Sequence, residues 1–459
     1  MKPFDAQKHV GIVGAGLAGL AAACTLADSG VHVTIFERRP WAGGKTYSFV
    51  ERETGAFVDN GQHIFMHCTT AYTTFLRRLG TLGFTRRQRR LRVPVLDARG
   101  RRSDLWAAPL PPPLHLGPSF IAYRHLALGD KARVARAIVA MMRLSLSERA
   151  ALDGISFAAW LRGHGQSDAA IAGFWDLIVV PTLNARSADV SAAQALFVFQ
   201  EGFLQSAEAT AIGLPAVPLS RLHVEPAIAY VRRRGGEVRL GCGVQRVEVE
   251  NGAARALVTA AGERVPVDAC IVAVPPRRVG ELLPERYASS PPFAALAAMP
   301  VAPIVNLHLW FDGPVAPFAF AAFTGCELQW VFNQTRIALA PEARGEHLAV
   351  SLSAADAYME MSKAELVARF LPQIEAALPL ARQRKLLRAA AIKEPDATFV
   401  PVPGLKRPGT STPVRGLYLA GAYTATGWPA TMESAVRSGE EAARAALEAM
   451  AVGTRPQHA

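Results

Sequence analysis

The sequence predicts an α/β fold, a parallel-sheet nucleotide domain with a second, α+β domain inserted into it. Three observations carry this. Near the amino end an apolar strand runs into a glycine turn and an apolar helix, Val10-Gly11-Ile12-Val13-Gly14-Ala15-Gly16-Leu17-Ala18-Gly19-Leu20. Strand and helix patterns then alternate in three separated stretches of the chain. The last of these ends in the strand Leu417-Tyr418-Leu419-Ala420, a loop and a long helix. At 459 residues the chain is long enough for two or three domains with large cores.

The amino-terminal elements read as strand, turn, helix and a second strand, Val31-His32-Val33-Thr34-Ile35-Phe36-Glu37. Gly14 permits the tight turn, Gly16 lets the backbone approach a pyrophosphate, and Gly19 lets the helix pack on the sheet. Ala15, Leu17 and Ala18 complete the turn and the first helical residues, whose free N–H groups and positive dipole end face the phosphates. Glu37 closes the second strand, where it would accept hydrogen bonds from a ribose. This is a Rossmann-like dinucleotide-binding unit. Its glycines fit a strand and turn better than a secretory signal.

Residues 1–75 form this unit and its extension. The pattern from 76 to 209 is mostly helical, broken by the stiff loop Pro109-Leu110-Pro111-Pro112-Pro113. A helix is predicted over Leu222–Arg233, ended by Gly235-Gly236. Strands follow at Glu237–Leu240, Val244–Val249 and Ala269–Val274, with Asn251-Gly252 as a hairpin turn. Residues 291–394 mix strands such as Ile304–Phe311 with helices such as Lys363–Leu378. The terminal helix places Met432, Ala435, Val436, Ala443, Leu447 and Met450 on one face. The expected division is a nucleotide domain of 1–75, 210–290 and 395–459, and a substrate domain of 76–209 and 291–394.

Half the residues are hydrophobic, yet no uncharged apolar run reaches the twenty or so residues that span a bilayer. Cys24, Cys68, Cys242, Cys270 and Cys326 are scattered and lack CxxC spacing, so we expect no metal site, no disulfide framework and a reducing, cytoplasmic setting. The net charge of +12 comes without a nucleic-acid-binding motif, and no nucleic-acid partner is expected. Basic residues cluster at Arg77–Arg78, across Arg86–Arg102, and on Lys131, Arg133, Arg136 and Arg143. The last group interleaves with Val134, Ile138, Val139, Met141, Met142 and Leu144. That pattern suits a basic amphipathic helix in an anionic membrane interface, or a surface helix covering the core.

Three further stretches carry a family resemblance: Arg39-Pro40-Trp41-Ala42-Gly43-Gly44-Lys45-Thr46, Val58-Asp59-Asn60-Gly61-Gln62-His63, and Leu419-Ala420-Gly421-Ala422-Tyr423 through Gly427-Trp428-Pro429-Ala430-Thr431-Met432-Glu433. Together they resemble the flavin-containing amine oxidase and phytoene desaturase superfamily along nearly the whole chain. Asp59–His63, Thr182-Leu183-Asn184, Pro429–Glu433 and Ala435-Val436-Arg437-Ser438-Gly439 are similar to the squalene-associated hydroxysqualene dehydroxylases of hopanoid biosynthesis. The resemblance implies FAD as cofactor, held by Glu37 and Arg39 at the adenosine end. Gly43, Gly44 and Lys45 would line the pyrophosphate, and Val244 would contact adenine through its backbone. Gly61, Gln62, Gly421, Thr431 and Met432 would lie near the rest of the cofactor. Lys45 replaces the family's usual arginine, keeping the charge but losing the planar fork. Ala422 stands where relatives carry an acid, removing one cofactor contact. No cysteine lies near 390–430, so the flavin is expected to be non-covalent.

Amine oxidases flank the substrate amine with aromatic side chains, and Thr431 replaces one of them. The resemblance favours instead a C30 isoprenoid whose allylic hydroxyl leaves as water, the cation being quenched by hydride from reduced flavin. Phe174, Trp175, Phe197, Phe199, Phe203, Phe323 and Trp330 are candidates to line an apolar channel. His63 is the candidate proton donor, while Asn184 and Asp189 read as caps. A carotenoid-type desaturase, an amine oxidase and a non-catalytic isoprenoid binder are the alternatives. A hydrophobic substrate also argues for peripheral contact with the cytoplasmic membrane and for a separate, unidentified electron donor.

Overall fold

A computed structural model describes residues 8–51, 55, 57–339 and 345–452. One five-stranded sheet is wholly parallel, with strands in the order Glu237–Leu240, His32–Glu37, His9–Val13, Ala269–Val272 and Leu417–Leu419. Gly14 takes φ +107°, and a Cβ there would lie 2.6 Å from the Ala273 carbonyl oxygen, so only glycine makes the turn. The helix Leu17–Asp28 follows and lies along the carboxyl-terminal helix Met432–Val452. Its side chains, Leu20 and Cys24 among them, share a core with Val436, Ala443 and Leu447. A Cβ on Gly439 would strike the Ala18 carbonyl, so the crossing of these two helices depends on that glycine.

The strand Val244–Glu250 turns through Asn251 (φ 51°) and Gly252 (φ 73°) into Ala253–Thr259. The helix predicted from Leu222 begins instead as a wide π turn over Ser220–Val224 and becomes α only over Glu225–Arg232. Pro226 has no N–H to return to the Leu222 carbonyl, and the backbone there widens. The third strand ends at Val272, because the chain then heads for Pro275-Pro276.

A second sheet of seven strands has the order Leu386–Phe399, Val301–Phe311, Glu346–Ser353, Trp330–Asn333, Phe320–Thr324, Arg92–Asp97 and Arg102–Trp106. Along Val301–Phe311 the side chains alternate. Val305, Leu307, Leu309 and Phe311 join a core with Leu366, Phe370 and Ile374 of the helix Lys363–Ala377. Asn306, His308 and Trp310 occupy the other face. A helical layer from Phe157 to Leu204 packs on the second sheet through Phe174, Phe199, Phe320 and Phe332.

Part of the stretch read as mostly helical is therefore sheet. The basic run forms a hairpin in which Arg92 and Arg102 both pair with Asp104. Pro94 and the flanking arginines hid its alternation. The long strand Leu386–Phe399 also passes through residue 395, where the sequence suggested a division. Among the described residues no helix is long and apolar enough to cross a membrane.

Candidate active site

The glycine turn and the loop after the second strand form a cradle. The Gly43 N–H donates to the Ala15 carbonyl at 2.9 Å, and Gly44 approaches so closely that its Cβ would lie 3.0 Å from Gly16 Cα. Gly43 and Gly44 take φ +113° and +59°. At Gly16 a Cβ would meet only Gly44 Cα, at 3.9 Å. Open space therefore lies over a helix start that has no side-chain cap, which is the room a pyrophosphate needs. Glu37 is buried, and its carboxylate accepts the backbone N–H of Ala15 at 2.9 Å and of Arg39 at 3.0 Å. The Cys242 N–H donates to the Glu37 carbonyl at 2.8 Å, bringing the start of the Val244 strand beside this acid.

Lys45 has protein acceptors of its own. Its partly buried ammonium donates to the backbone carbonyls of Asp396 and Ala397, tying the cradle to the long strand of the second sheet. Burial pushes its pKa down, against the pull of Glu394 and Asp396. A charge held out of bulk water takes the nearest acceptors, so Lys45 braces the cradle against the second sheet.

Beneath the cradle runs a hydrogen-bonded relay that the sequence did not announce. Thr46 Oγ1 donates to the Gly43 carbonyl at 3.0 Å, and His223 Nε2 lies 2.9 Å from Thr46 Oγ1. His223 Nδ1 lies 3.2 Å from the Tyr72 hydroxyl. Because the threonine proton goes to Gly43, His223 donates from Nε2 and accepts from Tyr72 at Nδ1. The ring is fully buried, and burial pushes its pKa down to about 3. Asp59 links neighbouring parts, accepting from Ser48 Oγ at 2.6 Å and Leu219 N–H at 3.0 Å, with burial raising its carboxyl to about 6.

Gly61, Gln62 and His63 meet the second sheet. Gln62 N–H donates to Asn306 Oδ1 at 3.3 Å, and Gln334 donates to the Gln62 side chain. His63 Nδ1 lies 2.8 Å from the Gly61 carbonyl, and burial lowers the ring's pKa. A carbonyl only accepts, so the neutral ring carries its proton on Nδ1 and leaves a lone pair on Nε2.

The carboxyl-terminal segment closes the site. Gly421 N–H donates to Ser438 Oγ at 2.9 Å, and a Cβ at Gly421 would collide with the Tyr423 ring. Thr431 Oγ1 caps the last helix by accepting the Ser434 N–H at 3.2 Å, and Met432 begins the helix against the first-helix core. Two residues given no holding role in the sequence reading, Arg407 and Glu433, fix this segment. Arg407 donates to the carbonyls of Ala422 (3.0 Å), Tyr423 (3.2 Å), Thr424 and Trp428 (2.7 Å). Burial lowers its pKa to about 10. Glu433 is fully buried and accepts the N–H groups of Ala71 (3.0 Å) and Tyr72 (2.8 Å), which start the helix Thr70–Leu79, together with Arg437 Nε at 2.7 Å.

The channel candidates divide. Trp175, Phe174 and Phe199 are buried in mutual edge contacts, and Phe323 belongs to the core on the opposite face of the second sheet. Phe197 is half-buried against Trp428 at 5.1 Å, and Phe203 and Trp330 border the apolar layer. Asn184 takes a left-handed φ of 52° at the end of Asp176–Leu183, and its amide donates to the Ala302 carbonyl and Thr398.

The family described as flavin containing amine oxidoreductase matches residues 17–447. The chain belongs to that family. It is 28% identical to the hydroxysqualene dehydroxylase of Sinorhizobium fredii, over 96% of this chain and 98% of that one. Identity to the hydroxysqualene dehydroxylase of Rhodopseudomonas palustris is 29%, over 96% and 99%. A probable zeta-carotene desaturase of Synechococcus elongatus is 28% identical over 97% and 99%. Among solved structures, an oxidoreductase from Methanosarcina mazei superposes with a TM-score of 0.73 at 18% identity, covering 97% of this chain and 100% of that chain. Putrescine oxidase bound to putrescine gives 0.70 at 20%, over 97% and 99%. These last two show the shared fold. The protein is an FAD-dependent oxidoreductase.

Proposed function

We propose that the protein holds FAD non-covalently and reduces an allylic C30 alcohol, hydroxysqualene, to squalene. The observation that carries this reading is end-to-end relatedness to two hydroxysqualene dehydroxylases, joined to Thr431 in place of an aromatic amine clamp. The open space over Gly16 and the paired turns of Gly43 and Gly44 fit a pyrophosphate. The cysteine nearest the carboxyl end in sequence is Cys326, which supports non-covalent binding.

Bound reduced flavin supplies a hydride equivalent. The chain's own task is to exclude water, hold the alcohol and manage one proton. The alcohol takes up a proton, the C–O bond breaks to release water, and hydride fills the resulting allylic cation, which balances atoms and charge. The apolar layer between the helices and the second sheet excludes water. His63, nominated from sequence as the donor, suits a different part in its neutral form. Its Nε2 lone pair can accept the substrate hydroxyl and orient the C–O bond, while burial disfavours the imidazolium a donor requires.

That same lone pair supports a second reading, desaturation of a carotenoid-type chain. There hydride leaves the substrate and a base removes the neighbouring proton. Relatedness to the probable zeta-carotene desaturase supports it at similar identity.

Mass spectrometry under anaerobic conditions separates the readings. Pre-reduced and oxidised enzyme would each be given hydroxysqualene, phytoene and a simple amine. Squalene formed only by pre-reduced enzyme supports the first; flavin reduction by phytoene overturns it in favour of the second. His63→Ala should slow single-turnover flavin reoxidation by hydroxysqualene about a hundredfold with flavin still bound, and an unchanged rate removes His63 from the reaction.

A further inference from the structure

The helix Leu128–Arg143 is apolar on two opposite sides. Its inner stripe, Val134, Ala137 and Met141, is fully buried and covers the core, so the apolar face expected for a membrane is partly consumed by packing. At 100° per residue the opposite stripe holds Leu128, Ala132, Ala135, Val139 and Met142, and all five are exposed. Leu128 is 83% exposed, and nearby Ile121 and Leu146 are 76% and 72% exposed. Eight of the seventeen large hydrophobic side chains exposed among the described residues lie between 110 and 155. That concentration in about a tenth of the chain is more than single surface apolar residues account for.

The charges around this stripe have one dominant sign. Residues 110–150 hold six Lys and Arg against two acids, Asp130 and Glu148. Both acids are engaged, Asp130 with Arg133 and Ser167, and Glu148 in the cap of its own helix. Arg124, Arg136 and Arg143 are exposed at the flanks. The surface also continues inward. Phe120, next to Ile121, packs edge-on against Phe174 at 5.4 Å, within the apolar layer that reaches Ile64 beside His63.

We propose that this face, centred on Ile121, Leu128, Val139 and Met142, is the seat of an anionic lipid bilayer. Leucine, isoleucine and methionine enter the acyl boundary while the arginines meet lipid phosphates. It rests on the isoprenoid reading for its purpose, since such a substrate resides in lipid, but not for its test.

The full flavin-loaded chain would be sedimented with vesicles of phosphatidylcholine alone and of phosphatidylcholine mixed equally with phosphatidylglycerol. The wild type should pellet with the mixed vesicles and detach in high salt. The variant Ile121→Asp/Leu128→Asp should lose binding at least about tenfold per site. Arg124→Gln/Arg136→Gln/Arg143→Gln should lose about fivefold per charge removed. Unchanged flavin absorbance and melting temperature would show that both variants fold, as exposed sites predict. Failure of the wild type to bind mixed vesicles overturns the proposal, as does variant binding equal to wild type. So does a wild-type dimer in solution that Ile121→Asp/Leu128→Asp converts to monomer, because the face would then belong to a second copy. Turnover of detergent-dispersed hydroxysqualene by the variants keeps the two readings distinguishable. If that activity is intact while binding is lost, the surface is for membrane attachment alone; if the wild type binds vesicles but converts no isoprenoid, only the functional reading fails.

Discussion

Acid should destabilise this protein through the buried histidine under the flavin cradle. His223 titrates near 6.5 when unfolded but at about 3 in the folded chain. Below 6.5 the unfolded state takes up a proton that the folded state refuses, so stability falls as pH drops. From pH 7.5 to 5 this costs about 2 kcal/mol. His308, pushed down to about 4 by burial, adds about 2 kcal/mol over the same interval. Asp59 opposes them. Its folded carboxyl titrates at about 6, above the unfolded value, so folding gains about 1.4 kcal/mol as pH falls to 5. The net loss is roughly 2–3 kcal/mol, and the lowered His63 and His347 act in the same direction. With an unfolding entropy of about 1 kcal/mol per degree for a chain of this size, the melting temperature should fall by at least about 2 °C. Thermal unfolding followed by circular dichroism at pH 7.5, 6.5, 6 and 5 reads this directly. In His223→Gln the fall should shrink by about 2 °C, and in Asp59→Asn it should steepen by about 1 °C. Parallel pH curves for His223→Gln and the wild type would refute the reasoning.

Other perturbations test the remaining parts of the site. Arg407→Ala removes the donations to four carbonyls of the loop before the last helix and should cost about 3–5 kcal/mol. Flavin affinity should fall at least about tenfold, partly restored by Arg407→Lys, in titrations followed by flavin fluorescence. Glu433→Gln leaves one amide oxygen for two helix N–H groups and strands Arg437, for about 3 kcal/mol and a melting point lower by about 3 °C. Gly44→Ala places a methyl group 3.0 Å from Gly16 Cα at φ +59°. It should weaken flavin binding by about tenfold while moving the apoprotein melting point by only about 1–2 °C.

What the sequence made legible was the part built from neighbours along the chain. Gly14 and Gly19 announce the turn because each is required by backbone within a few residues or on the adjoining strand. The Asn251-Gly252 hairpin is legible on the same principle. Less legible were groups whose partners arrive from far away. His223 reaches Thr46 across 177 positions, Glu433 reaches Tyr72 across 361, and Lys45 reaches Ala397 across 352. A lone histidine or arginine carries no periodicity, and its role exists only once two strands meet. One signal was available for Glu433, an acid in the first turn of an otherwise apolar helix, whose burial asks for donors.

The same distinction explains why fold alone leaves the direction of hydride transfer open. On the proposed reading the cradle serves either direction equally, because it would hold the parts of the flavin that do not react. Direction depends on the redox state of the flavin and on the substrate. On the proposed reading the chain's contribution is where a proton can reside, and His63 Nδ1 is committed to the Gly61 carbonyl. A ring so held accepts at Nε2. In dehydroxylation it can orient the departing oxygen but must leave protonation to another source; in desaturation it can take the proton itself. Residues Gly61 to His63 and the facing Asn306, more than the glycine turn, are therefore where relatives on this fold can diverge in chemistry.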